Sequence, residues 1–223
     1  MELPNKDSRS LEFQRIVHQA RACRLCPRME GRTRVLGIAN GPLSAKLLFV
    51  AEAPGRLGAD ISGVPLSGDR TGRTFDELLA AGGFTRPDIF LTNAVLCNPR
   101  DESGRNARPS RAEIANCCRY LADLIALLNP RWVVTLGAVA LEAVATIAPH
   151  GAILRHDVGQ RIDWFGRWLV PLYHPGPRAL IHRPLEVQRA DYTRLSALID
   201  APNGDEAGSP IRAASGSPIA SVS

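Results

Sequence analysis

Five cysteines are spaced so that four of them can share one site. Cys23 and Cys26 form a C-x-x-C pair after a helical stretch, Cys97 stands alone, and Cys117 and Cys118 adjoin near the start of a later helix. A C-x-x-C pair plus two separated thiols can make a four-thiolate centre, and the spacing admits zinc or an iron–sulfur cluster. A thioredoxin-like dithiol is disfavoured, because this pair does not follow a first strand. Buried, inert thiols are the plain alternative for any one of the five.

A second group of residues suits acid–base and recognition chemistry. Glu52, in Glu52-Ala53-Pro54-Gly55, follows an apolar run; Asn93 sits inside another; His174, in His174-Pro175-Gly176-Pro177-Arg178, follows a third. An acid, an amide and an imidazole at one crevice can recognise a small polar ring and move charge. Taken singly, the Asn reads as a turn former and the His as a satisfied surface or core residue. Asp69 lies in the glycine-rich loop 55–72, either as an Asx-turn residue or as a second catalytic carboxylate. That loop has neither a dinucleotide G-x-G-x-x-G opening a helix nor the Gly-Lys-Ser/Thr of a phosphate loop.

These side chains need elements to hold them. Apolar runs at Lys46–Ala51, Ile89–Val95, Arg131–Leu136 and Trp168–Tyr173 read as strands buried on both faces. Helical patterns run over Ser10–Ala22, over the TFDELLAA stretch ended by Gly82-Gly83, over Ala138–Ile147 and over Leu185–Ile199. Another has Ser110 as N-cap, Glu113 at the capping-box position and Asn129-Pro130 as its stop. The alternation predicts an α/β fold, a three-layer sandwich around a short central parallel sheet whose strand order cannot be derived from sequence. In such sheets ligands gather beyond the carboxyl ends of the strands, where Glu52, Asn93 and His174 fall.

The chain has 223 residues, 45% of them hydrophobic and 22% charged, which excludes a disordered chain, a coiled coil and a disulfide-dense scaffold. One domain over residues 9–200 is expected, with a Gly, Ala, Ser and Pro-rich tail at 201–223 that is expected to be disordered. The net charge is +5, and 25 of the 27 basic residues are Arg. A base composition that spells basic positions as Arg accounts for part of this, and a phosphate-bearing partner for the rest. The polar N-terminus does not read as a signal peptide, and no apolar stretch is long enough to span a bilayer. A soluble, cytoplasmic, bacterial-type protein is expected.

Together these motifs resemble the uracil-DNA glycosylase superfamily. Glu52-Ala-Pro-Gly55 with Gly63-x-Pro65 and Ser67-Gly68 is similar to the first motif of the cluster-bearing family 4. Thr92-Asn93-Ala-Val-Leu-Cys97 resembles the strand that ends in the uracil-reading Asn and a cluster Cys. Glu113-Ile-Ala-x-Cys117 resembles the helix with the fourth cluster ligand, and Tyr173-His174-Pro175 the second catalytic motif. The resemblance implies a four-stranded sheet and a [4Fe–4S] cluster on Cys23, Cys26, Cys97 and Cys117, leaving Cys118 spare. The loop after Gly55 is one residue longer than the family 4 pattern. With Gly68-Asp69-Arg70-Thr71-Gly72 it looks more like family 5, which handles uracil and other deaminated bases and lacks the carboxylate Glu52 supplies. Leu66 stands where family 4 has an aromatic platform, and the stretch from Cys97 to Cys117 carries an Arg-rich insert.

The activity implied is excision of uracil, and of other deaminated bases by the family 5 likeness, through hydrolysis of the N-glycosidic bond. The leaving base becomes anionic, so a neutral His174 and backbone N–H groups near Gly55 would stabilise it. Glu52 or Asp69 would place water or stabilise the sugar cation, Asn93 would match the uracil edge, and Leu66 would cover its face. The base must first leave the helix. Leu180 or Ile181 would fill the vacated stack while Arg178 and Arg183 hold phosphates. Both lysines, Lys6 and Lys46, lie outside the motifs, so a monofunctional, monomeric enzyme acting on uracil-containing DNA is expected, with no membrane partner. The rival readings are a protein that binds or traps uracil-DNA and a zinc-stabilised nucleic-acid-binding module without turnover.

Overall fold

The computed structural model describes residues 6–201; residues 202–223, and so nearly all of the tail expected to be disordered, lie outside the described residues. The apolar runs form β1 (Leu47–Ala51), β2 (Ile89–Asn93) and β3 (Trp132–Leu136), followed by β4 (Ile162–Trp164) and β5 (Arg167–Leu172). The sheet order is β2-β1-β3-β5-β4. Every ladder is parallel except β4 with β5. This confirms the α/β sheet and adds one strand to the four implied by resemblance. β4 spans three residues, too few for a periodic signal. It folds back through Phe165 and Gly166, whose φ of 51° and 70° fit the tight turn that matches hairpin twist.

Helices cover both faces. Before β1 comes α1 (Lys6–Ala22); between β1 and β2 lie the short α2 (Ala59–Ser62) and α3 (Arg70–Ala81). Next are α4 (Arg111–Leu128), α5 (Ala138–Ile147), α6 (Leu154–Asp157), α7 (Pro177–His182) and α8 (Leu185–Asp200). Leu48, Val50, Phe90 and Val133 pack with α1, α4 and α5 in one apolar layer. Alternate residues Phe49, Leu91, Val134 and Val170 pack with Phe75 of α3 and Tyr192 of α8 in the other. That period of two on a sheet buried on both faces explains why each strand reads as a continuous apolar run.

The caps match the sequence. The Ser110 hydroxyl accepts the Glu113 N–H at 3.2 Å, the Glu113 carboxylate accepts the Ser110 N–H at 2.7 Å, and Asn129 closes α4 in the left-handed region with φ 44°. Among the described residues no helix is long and apolar enough to cross a membrane. α3 begins earlier than its apolar pattern, because Asp69 caps it and draws Thr71-Gly72 out of the loop and into the helix. Gly72 is needed there: a Cβ would stand 2.5 Å from the Leu66 carbonyl oxygen.

Candidate active site

β1 lies between β2 and β3, so the chain leaves it to one side and returns on the other. At such a reversal the loops beyond the carboxyl ends diverge and leave a crevice. A cleft of about 780 Å³ opens there. The turn after β1 contributes Glu52 and Gly55, the glycine-rich loop Leu66 and Asp69, the end of β3 Gly137, and the end of β5 Tyr173 and His174. α7 adds Arg178 and His182. The register, which pairs Ala51 with Asn93 and Leu136 with Leu172, aligns these ends at one level.

His174 is held as a neutral donor. Its Nδ1 accepts the Gly176 N–H at 3.0 Å, so the proton of the neutral ring sits on Nε2. Burial pushes its pKa down to about 4, against the pull of the Asp69 carboxylate. Two glycines make the room. A Cβ at Gly176 would lie 2.8 Å from Nδ1, and one at Gly137, whose φ is 94°, would lie 3.2 Å from the His174 Cβ.

The two carboxylates differ in employment. Glu52 is half-buried, and desolvation raises its pKa against the pull of Arg108 and Arg178. Asp69 caps α3 with Oδ1, which accepts the Gly72 N–H at 2.9 Å. Its Oδ2 fills the space that a Cβ at Gly55 or Gly58 would occupy, 2.8 Å from each ideal position. Asp69 is thus both a helix cap and a wall of the cleft.

Leu66 is nearly buried and lies in the left-handed region at φ 44°. Arg86 reaches across to hold that conformation, donating to the Pro65 carbonyl at 2.8 Å and the Leu66 carbonyl at 2.5 Å, with Asp76 on its Nε. Asn93 is buried at the end of β2, where its side-chain nitrogen has no hydrogen-bond partner. It is not among the residues lining the cleft. Sequence reasoning passed over Asn98 and Asn106, which with Arg108 of the Arg-rich insert form one wall. They come from the insert after Cys97, bridged between Arg100 and Asn106. Amides in an Arg- and Pro-bearing stretch carry no period that would mark them.

On α7 Ile181 is 78% exposed, Leu180 is half-buried and Arg178 is exposed. Arg183 is not free: both carboxylate oxygens of Asp191 take its guanidinium at 2.5 Å, and it lies over the Tyr173 ring. That pair anchors α7 to α8.

None of the five cysteines is in a disulfide. Cys117 lies on the buried face of α4 with Ile114, Tyr120, Leu121 and Leu124, whereas Cys118 meets the Thr146 hydroxyl of α5. Burial, then the nearby Cys23 and Cys26, raise Cys97 to about 11 against the pull of Arg34. Burial first, then Cys97, Cys23 and Cys26, push Cys117 up to about 12. Cys117 lies in one apolar cluster against which Cys23, Cys26 and Cys97 pack. The Leu96 N–H points at the Cys117 Sγ at 3.3 Å, and the Asn116 side-chain amide at the Cys26 Sγ at 3.5 Å. Arg28, just past the C-x-x-C pair, grips the Glu113 carboxylate at 2.9 and 2.5 Å and so ties that segment to the start of α4. Among the described residues no three His, Cys, Asp or Glu side chains are grouped as ligands of a metal ion.

The family model described as the uracil DNA glycosylase superfamily matches residues 38–193. A type-4 uracil-DNA glycosylase of Thermotoga maritima is 33% identical over 161 residues, covering 72% of this chain and 79% of the relative. One of Archaeoglobus fulgidus is 29% identical, covering 82% of this chain and 91% of the relative. A type-5 uracil-DNA glycosylase of Thermus thermophilus is 29% identical over 74% of this chain and 87% of the relative. Relatives of both types match, as the mixed motifs led one to expect. On its fold, its strand-end cleft and these likenesses together, the chain belongs to the uracil DNA glycosylase superfamily.

Proposed function

We propose that this chain is a monofunctional DNA glycosylase that removes uracil, and other deaminated bases, from DNA by hydrolysis, leaving an abasic site. The observation that carries the reading is His174, a neutral imidazole whose only proton is on the nitrogen not held by the backbone. Such a preorganised donor stabilises a departing base anion. Gly55, which lines the same cleft, supplies a backbone N–H. The unpartnered side-chain nitrogen of buried Asn93 supports its reading the uracil edge, and Leu66 covers the ring face. Lys46 stands at the amino end of β1, opposite the cleft, so a Schiff-base nucleophile for strand cleavage is lacking there.

On α7, Ile181 or Leu180 fills the gap left by the flipped nucleotide and Arg178 holds a phosphate. Arg183, occupied by Asp191, steadies the helix that presents them. Cys23, Cys26, Cys97 and Cys117 hold a [4Fe–4S] cluster. The donor set supports this: four thiols in or against one apolar cluster, two of them facing N–H groups of the kind that tune cluster sulfurs. When bound, the cluster supplies cross-linking of α1, the insert and α4.

The test is incubation with oligonucleotides carrying uracil, hypoxanthine, xanthine or a mismatched thymine, followed by scoring of abasic sites. Abasic sites at uracil without strand breakage are expected. Tight retention of uracil-DNA with no free base would instead favour the trapping reading, and a colourless protein that contains zinc the module without turnover.

Glu52 follows directly from a rigid strand, whereas Asp69 already serves α3, so Glu52 is the principal group that places water. Glu52→Gln and Asp69→Asn should each leave measurable single-turnover activity, and the double variant should lose far more than either. Burial raises the Glu52 pKa, so the rate should climb with pH through a value above the ordinary 4.5 of a glutamate and then level off. Glu52→Gln should erase that acid limb. The assignment fails if Glu52→Gln keeps most of the rate while Asp69→Asn abolishes it.

A further inference from the structure

The turn after β1 carries the Gly55 N–H, and that N–H can help a leaving base only if its direction is fixed. Asn98 fixes it. The Asn98 side-chain amide donates to the Pro54 carbonyl at 2.6 Å and to the Asn106 Oδ1 at 3.1 Å, while its own Oδ1 accepts the Arg100 Nε–H at 2.7 Å. A carbonyl can only accept and a guanidinium can only donate, so these partners leave the amide one orientation. Pro54 C=O and Gly55 N–H belong to one planar trans peptide and point in opposite directions. Holding the carbonyl from one side therefore aims the N–H to the other.

The next peptide is held at both ends. Asn106 Oδ1 accepts the Arg56 N–H at 3.0 Å, and the Gly55 carbonyl accepts the N–H groups of Asp60 at 3.0 Å and Gly58 at 3.2 Å. Arg100 extends the brace, pairing with Asp60 at 2.8 Å, and Asp60 in turn accepts the Thr33 N–H at 3.0 Å. Asn98 is 1% exposed, so its bonds are made away from competing water. A carbonyl that accepts a strong hydrogen bond also polarises its peptide and sharpens the N–H as a donor.

We propose that Asn98, though it borders the cleft, is a positioning residue for base departure, acting through the Pro54–Gly55 peptide that its side-chain amide holds. The proposal rests on the glycosylase reading above. Asn98→Ala should lower the single-turnover rate on uracil by about tenfold to a hundredfold, the scale expected when a reacting group is displaced. KM should change by less than about threefold, because the donor matters most as charge develops. Asn98→Asp keeps the shape but sets an acceptor against two oxygens, and should behave alike. The deciding comparison is 5-fluorouracil, whose anion is stabler and needs less help. There both variants should lose no more than about threefold.

A merely structural role would reduce both bases equally. Equal losses on the two bases, a loss confined to KM, or full activity in Asn98→Asp would overturn the proposal. So would failure of both variants to fold, which would mark Asn98 as a packing residue. If the unaltered chain releases no uracil, the glycosylase reading itself fails; if it does and Asn98 proves indifferent, only this inference falls.

Discussion

Replacing His174 with alanine is expected to lower single-turnover release of uracil by two or more orders of magnitude. Loss of one preorganised donor to a developing anion costs roughly 10²–10³ in rate. The magnitude rests on preorganisation. Gly176 holds Nδ1, Gly137 clears the path of the side chain, and desolvation keeps the ring uncharged down to about pH 4. His174→Gln would restore an N–H in a different place and should recover only a small part of the rate. Near-normal turnover in the alanine variant would remove His174 from the reaction. The same depression has a stability consequence. Between the ordinary value of 6.5 and about 4 the unfolded chain binds a proton that the folded chain refuses, so stability contributed by this site falls as pH drops through that window.

The second large effect concerns the thiols. Cys23→Ala and Cys117→Ala should each lose iron and soluble protein together, because thiolate centres contribute folding free energy directly. Cys118→Ala should keep both, since its sulfur faces Thr146 rather than the other thiols. Iron content, and absorbance near 400 nm as a rough expectation for iron–sulfur sites, would report the outcome. If Cys118→Ala sheds iron while Cys117→Ala keeps it, α4 is turned by one residue from the arrangement described. The glycosylase assay need not enter this test.

Much of this was legible before any coordinates. The strands announced themselves as apolar runs because both sheet faces are covered, and Ser110, Glu113 and Asn129 marked α4 because caps are local chemistry. Glu52 and His174 could be placed because a strand end in a parallel sheet is a position readable from sequence. What stayed hidden depends on distant partners. Nothing local says that Arg183 closes on Asp191, that Arg86 pins Leu66, or that Asn98 reaches Pro54 across 44 positions. β4 was missed because three residues carry no period. The early start of α3 was missed because Gly72, chosen for its close approach to Leu66, reads locally as loop.

The single hydrogen bond from Gly176 to His174 also decides what this side chain is unable to do. With Nδ1 already filled by a backbone N–H and Nε2 carrying the only proton, the imidazole turns no lone pair towards a substrate. It can lend a hydrogen bond but cannot strip a proton from water or from a hydroxyl, and a pKa near 4 makes it a feeble base besides. The ring is thus a one-way device. Substrates whose bond must be broken by an activated nucleophile, esters and phosphodiesters among them, find no general base in His174. From this ring, only a bond that loosens first, with the departing group taking the charge, is served.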